Sequence, residues 1–189
     1  NDPTSTRFVM ANVVIGGAGS DALGGLGGND DIAGNSGDDI LVGGNGEDIL
    51  AGQSGADVLL GGWQSDTLLG GAGADRLVGD QEWLSSQGAN DRLDGGDDAD
   101  LLIGDATNIY GAGRGGNDRL TGGAGNDILI GDGDIMIGSA RGGADTLEGG
   151  EGNDWLYGDG RDSAATVIGG ADKLYGGDGP DHLIGGGGN

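Results

Sequence analysis

Residues 122–130 read G-G-A-G-N-D-I-L-I, the cleanest copy of a nine-residue unit, G-G-x-G-x-D-x-L-x, that recurs over residues 16–184. The unit changes character halfway. Its x-L-x end has the alternation of a very short strand, with the Leu on one side and its neighbours on the other. Its G-G-x-G-x-D end has the residues of a turn, because glycine accepts positive φ and close backbone approach. One unit is therefore strand then turn, and two units make a full coil. Coils stacked about 4.8 Å apart give two short-stranded parallel sheets around a thin row of Leu and Ile. The expected fold is all-β, a parallel β-solenoid with two short-stranded sheets.

From Gly16 the register runs seven times without a break, over residues 16–78. Position six is Asp21, Asp30, Asp39, Asp48, Asp57, Asp66 and Asp75, and position eight is Leu23, Ile32, Leu41, Leu50, Leu59, Leu68 and Leu77. The glycines are looser. Position two is Leu26, Asn35 and Gln53 in three units, and position four is Gln64 in one.

Over residues 79–184 plain and long units alternate. Their key pairs are Asp91/Leu93, Asp100/Leu102, Asp118/Leu120, Asp127/Leu129, Asp145/Leu147, Asp154/Leu156, Asp172/Leu174 and Asp181/Leu183. Asp98 stands at position four of one plain unit, and Ala89 at the matching place of the first long one. The long units are all even-numbered, so with two units per coil every insertion falls on the same side of the roll. They carry apolar runs at Ile109 and Tyr110, at Ile135, Met136 and Ile137, and at Val167 and Ile168. Such runs fit a third short sheet, and they fit surface loops with a few packed side chains equally well. Asp80, Asp105, Asp132 and Asp159 each follow the opening Gly of a long unit and form another acidic column, either of additional metal ligands or of a solvated face.

Residues 1–15 lack the repeat glycines. Phe8, Val9, Met10, Val13, Val14 and Ile15 read as a strand that caps the first coil, or as a linker. Residues 185–189 read as the truncated start of a further repeat, and the chain as a fragment with flanking domains.

Glycine at 50 of 189 residues, few aromatics and a net charge of -24 are also the composition of a disordered chain. The fixed phase of Leu and Asp argues against disorder. The charge excludes nucleic acid and anionic membrane as partners, since both need Lys and Arg, and it favours cations. No apolar run is long enough for membrane insertion. With no Cys and a single His, His182, neither a disulfide framework, a zinc site nor a Ser-His-Asp triad can be assembled. No paired aspartates sit in an apolar pocket that would fit them for acid–base work, so the fragment is not expected to be an enzyme.

The charge also sets an energetic problem. Stacking places like aspartates in columns about 5 Å apart, where each pair repels by roughly 3 kcal/mol at an effective dielectric of 20. One Leu in nine residues is a thin core to set against that. Ca²⁺ between successive coils reverses the sign, since it takes six to eight carboxylate and carbonyl oxygens. Each interval joins unit n to unit n+2, so fifteen units allow roughly a dozen sites, about thirteen at most. Metal binding and folding then become one event.

The units resemble those of the RTX (repeats-in-toxin) proteins over residues 16–184. That resemblance implies a right-handed parallel β-roll, calcium as the cofactor, and export from Gram-negative bacteria by type I secretion machinery into an extracellular or cell-surface setting. It also implies the ligand set: the position-six aspartates give side-chain oxygens, and the G-G-x-G backbone gives carbonyls. Representative glycines are Gly43, Gly44 and Gly46, Gly122, Gly123 and Gly125, and Gly149, Gly150 and Gly152. Three roles fit such a module. It folds a secreted protein outside the cell, stiffens a surface adhesin or surface-layer tract, or accompanies a secreted enzyme without doing chemistry itself.

Overall fold

A computed structural model describes residues 10–186; Phe8 and Val9 of the expected N-terminal strand, and the final residues 187–189, lie outside the described residues. Every named strand pairing is parallel, and among the described residues there is no helix. The first sheet stacks Val13–Ile15, Asp31–Ser36, Ile49–Ser54, Thr67–Ala72, Arg92–Asp97, Arg119–Ala124, Thr146–Glu151 and Lys173–Asp178. The second stacks Ala22–Gly27, Ile40–Asn45, Val58–Trp63, Arg76–Val78, Leu101–Ile103, Ile128–Ile130, Trp155–Tyr157 and His182–Ile184. Successive units alternate between the two sheets, which makes a parallel β-roll.

The strands differ from the expected short x-L-x. In Ile40–Asn45 pairing runs through the opening glycines, so only positions four to six form the turn. Glycine permits this because coil packs on coil there with no side chain between. A Cβ on Gly46 would collide with the carbonyl of Gly28 in the coil below, and Gly46 has φ 137°. The five non-glycine residues with positive φ are Leu26, Asn35, Gln53, Gln64 and Asp98, at 75–80°. They are the departures from glycine at positions two and four of the plain units; Ala89, at the matching place of a long unit, is not among them. The backbone keeps its left-handed conformation whichever residue occupies it.

Twelve position-eight side chains, from Ile32 to Leu156, form one buried row. Val14, Leu23 and Leu174 pack on its ends, so Val13–Ile15, paired with Asp31–Ala33, covers part of the first coil. Leu183 departs from expectation: it is 46% exposed, on the last of the described strands.

The insertions form a third sheet rather than loops. It stacks Trp83–Leu84, Asn108–Ile109, Ile135–Met136 and Asp162–Ser163 in parallel. Leu84, Ala106, Ile109, Met136 and Ala140 are its own core, with Val167 against them. The last strand is misplaced in the sequence reading. Asp162 and Ser163 pair with Ile135 and Met136, whereas Ile168 makes a single bridge to Arg141. Register, set by the 27-residue coil, overrides the apolar run. Position nine, exposed at Val42, is buried at Val78, Ile103 and Ile130, where the chain runs on into an insertion.

Candidate metal columns

The coil repeat is 18 residues in the first half, 25 across the first insertion and 27 beyond it. That spacing stacks the position-six aspartates in two columns. One is Asp21, Asp39, Asp57, Asp75, Asp100, Asp127, Asp154 and Asp181; the other is Asp30, Asp48, Asp66, Asp91, Asp118, Asp145 and Asp172. Within each column the two carboxylate oxygens have different fates. Oδ1 accepts the backbone N–H of the aspartate one coil before it. Asp30 donates to Asp48 at 2.7 Å, Asp57 to Asp75 at 2.7 Å, and Asp91 to Asp118 at 2.7 Å. The bond recurs at every step, including Asp21 to Asp39, Asp75 to Asp100, Asp127 to Asp154 and Asp145 to Asp172.

Oδ2 has no partner. It is buried and without a hydrogen bond in thirteen of the fifteen, all but Asp21 and Asp181 at the ends. A buried carboxylate oxygen left so costs several kcal/mol unless a cation or proton meets it. Its surroundings are defined by the position-one glycines. A Cβ on Gly34 would crowd Asp39 Oδ2 and lie 3.0 Å from the carbonyl oxygen of Gly52. The same carbonyl lies 2.7 Å away at Gly43, from Gly61, and 2.6 Å away at Gly122, from Gly149. In both, the unit's own Asp48 or Asp127 Oδ2 crowds the same point. Each orphaned oxygen thus shares a cradle with a main-chain carbonyl of the adjacent coil.

Among the described residues no cationic side chain answers these oxygens. Among the described residues the salt bridges are Arg92–Asp94, Arg119–Glu148 and Arg161–Asp134, none of them in a position-six column. Burial, opposed by the N–H bond to Oδ1 and aided by neighbouring carboxylates, pushes Asp66, Asp91 and Asp145 up to about 8. Asp100 rises to about 7, and Asp75 and Asp127 to about 6, for the same first reason. Asp118 lies well above the usual range. Among the described residues no three acidic or imidazole side chains gather as a metal-holding group. A cation in these columns therefore draws on carboxylates of successive coils together with main-chain carbonyls. Donors that are all oxygen suit a hard ion such as Ca²⁺.

The model of the RTX calcium-binding nonapeptide repeat matches residues 10–41, 33–68, 42–77, 79–108, 112–135, 139–162 and 168–189. The chain belongs to this RTX repeat family. No curated protein sequence matches it. RTX repeats bind Ca²⁺ and are typical of secreted bacterial proteins, and the buried aspartates of this chain fit that chemistry.

The glycines singled out in the sequence divide by position in the RTX unit. Gly43, Gly122 and Gly149 border an orphaned Oδ2, whereas Gly44, Gly46, Gly123, Gly125, Gly150 and Gly152 take positive φ and press on the carbonyls of the coil before. Asp80, Asp105, Asp132 and Asp159 are not a solvated face, being 0–4% exposed. His182 stacks on Trp155 with ring centres 4.1 Å apart. Sequence reasoning missed the Oδ1 clasp, whose only signal was the constant spacing of Asp from Asp.

Proposed function

We propose that this RTX module is a calcium-dependent folding unit, which stays unfolded where calcium is scarce and closes into the β-roll outside the cell. The observation that carries the reading is the set of thirteen buried, unpartnered carboxylate oxygens facing backbone carbonyls with no internal cation. In this reading the position-six aspartates supply one charged oxygen per interval and hold the preceding coil through Oδ1. The position-one glycines leave room for it. A bound Ca²⁺ joins neighbouring coils and cancels the repulsion along the columns. The module acts by being structured or not, in support of a secreted parent protein, and does no chemistry.

Circular dichroism at neutral pH is the test. Chelated protein should give the spectrum of a disordered chain, and millimolar calcium should restore the β signal. A β spectrum insensitive to chelator would overturn the reading.

A further inference from the structure

The insertions bring a third column of aspartates to the neck where each leaves the roll. Asp105 Oδ1 accepts the N–H of Gly116 at 2.7 Å, Asp132 Oδ1 that of Gly143 at 2.6 Å, and Asp159 Oδ1 that of Gly170 at 2.5 Å. Each aspartate so clasps the two ends of its own insertion. The other oxygen does not serve the clasp. Asp105 and Asp132 are fully buried, and Oδ2 of each has no hydrogen-bond partner.

Around a glycine, Oδ2 of each aspartate meets the clasping Oδ1 of the next. A Cβ on Gly88 would stand 2.8 Å from Asp80 Oδ2, which also accepts the N–H of Ala89 at 3.1 Å, and collide with Asp105 Oδ1. On Gly115 it would stand 2.6 Å from Asp105 Oδ2 and collide with Asp132 Oδ1. On Gly142 it would stand 2.5 Å from Asp132 Oδ2 and collide with Asp159 Oδ1. None of the three is among the glycines with positive φ, so any residue could adopt their backbone conformation. What glycine provides here is space, and two carboxylates from successive coils turn toward it.

We propose that Asp80/Asp105, Asp105/Asp132 and Asp132/Asp159 form three divalent-cation sites of their own, separate from the position-six columns and created by the insertions. The donors are again oxygen only, which selects a calcium-like ion. The proposal rests on the reading of the roll as a calcium-dependent module, and adds that its second half is fastened along a second line. The competing chemistry is a proton shared within each carboxylate pair.

The test is equilibrium dialysis of the full chain against saturating calcium at neutral pH, with elemental analysis of bound metal. Asn keeps the clasp acceptor and removes the charge. Asp105→Asn should bind about two fewer ions than wild type, because Asp105 borders two intervals, and Asp80→Asn about one fewer. An unchanged count in a variant with wild-type ellipticity means a shared proton, and overturns the proposal. If Asp105→Asn does not reach that ellipticity, Asp80→Asn, at the open end of the column, decides alone. Asp48→Asn is the control for the position-six columns. Ions lost there but not from the neck variants sink only the neck sites, whereas no loss from Asp48→Asn sinks the position-six reading.

Discussion

The backbone N–H of Asp48 donates to Oδ1 of Asp66, 18 residues later, at 2.8 Å, while Oδ2 of Asp66 stays buried and unpartnered. The carboxylate therefore has two separable duties: it pins the preceding coil through one oxygen and offers the other to a cation. Substitutions that keep one duty and remove the other follow from this division.

Asp127→Asn keeps an acceptor for the N–H of Asp100 and removes the charge. It should raise the calcium midpoint and lower cooperativity while leaving the calcium-saturated fold intact. Asp127→Ala removes the acceptor too, leaving a buried N–H unpaired at a further cost of about 1–3 kcal/mol. Calcium titration by circular dichroism, with melts at saturation, separates the two. Identical behaviour of both variants would refute the division of labour.

The pH dependence of the calcium-free chain has a definite sign. Asp66, Asp91 and Asp145 are raised in the folded state to about 8 from an ordinary 3.8. The folded state then holds protons that the unfolded state releases. Its relative stability is complete below about 4 and is lost as pH rises through about 8. In calcium-free buffer, acidification should promote the roll, with protons standing in for metal. With calcium present, acid should instead displace the ion. Ellipticity against pH with and without calcium checks both limbs.

Gln64, with φ 75°, occupies a conformation that costs a residue with a Cβ about 1–2 kcal/mol. Gln64→Gly recovers part of that, less the extra freedom glycine brings to the unfolded chain, and should raise stability by up to about 1 kcal/mol. Gly46→Ala should do the reverse and more, because its Cβ also meets the carbonyl of Gly28. Thermal melts at saturating calcium read both.

The third sheet has its own core, so damage to it should stay local. Ile109 is fully buried there, and Ile109→Ala should cost about 2–5 kcal/mol. In a solenoid each coil feels only its neighbours. Hydrogen exchange should quicken around residues 79–168 and remain at wild-type rates in residues 31–63. Uniform loss of protection would show that the roll melts as one unit.

These predictions lean unequally on the sequence. The two sheets and the Leu row are legible in it, because a nine-residue period with Asp at six and Leu at eight admits few other stackings. The insertion sheet was half legible. Its side of the roll follows from parity, but its last strand does not. Asp162 and Ser163 pair by register against Met136 and its neighbour, although Val167 and Ile168 are the apolar residues. The position-two and position-four substitutions change the residue but not the backbone, since Asn35 and Asp98 hold the glycine conformation at the cost argued for Gln64. The split between Oδ1 and Oδ2 was not legible at all, because it depends on which way a carboxyl group turns between coils.

Small-angle scattering at neutral pH tests most directly whether cations between the coils hold this chain in shape. The account predicts a calcium-free chain expanded to a radius of gyration of about 45 Å that closes to below about 20 Å when calcium is added. A radius below about 20 Å in chelator, unchanged by calcium, would contradict it.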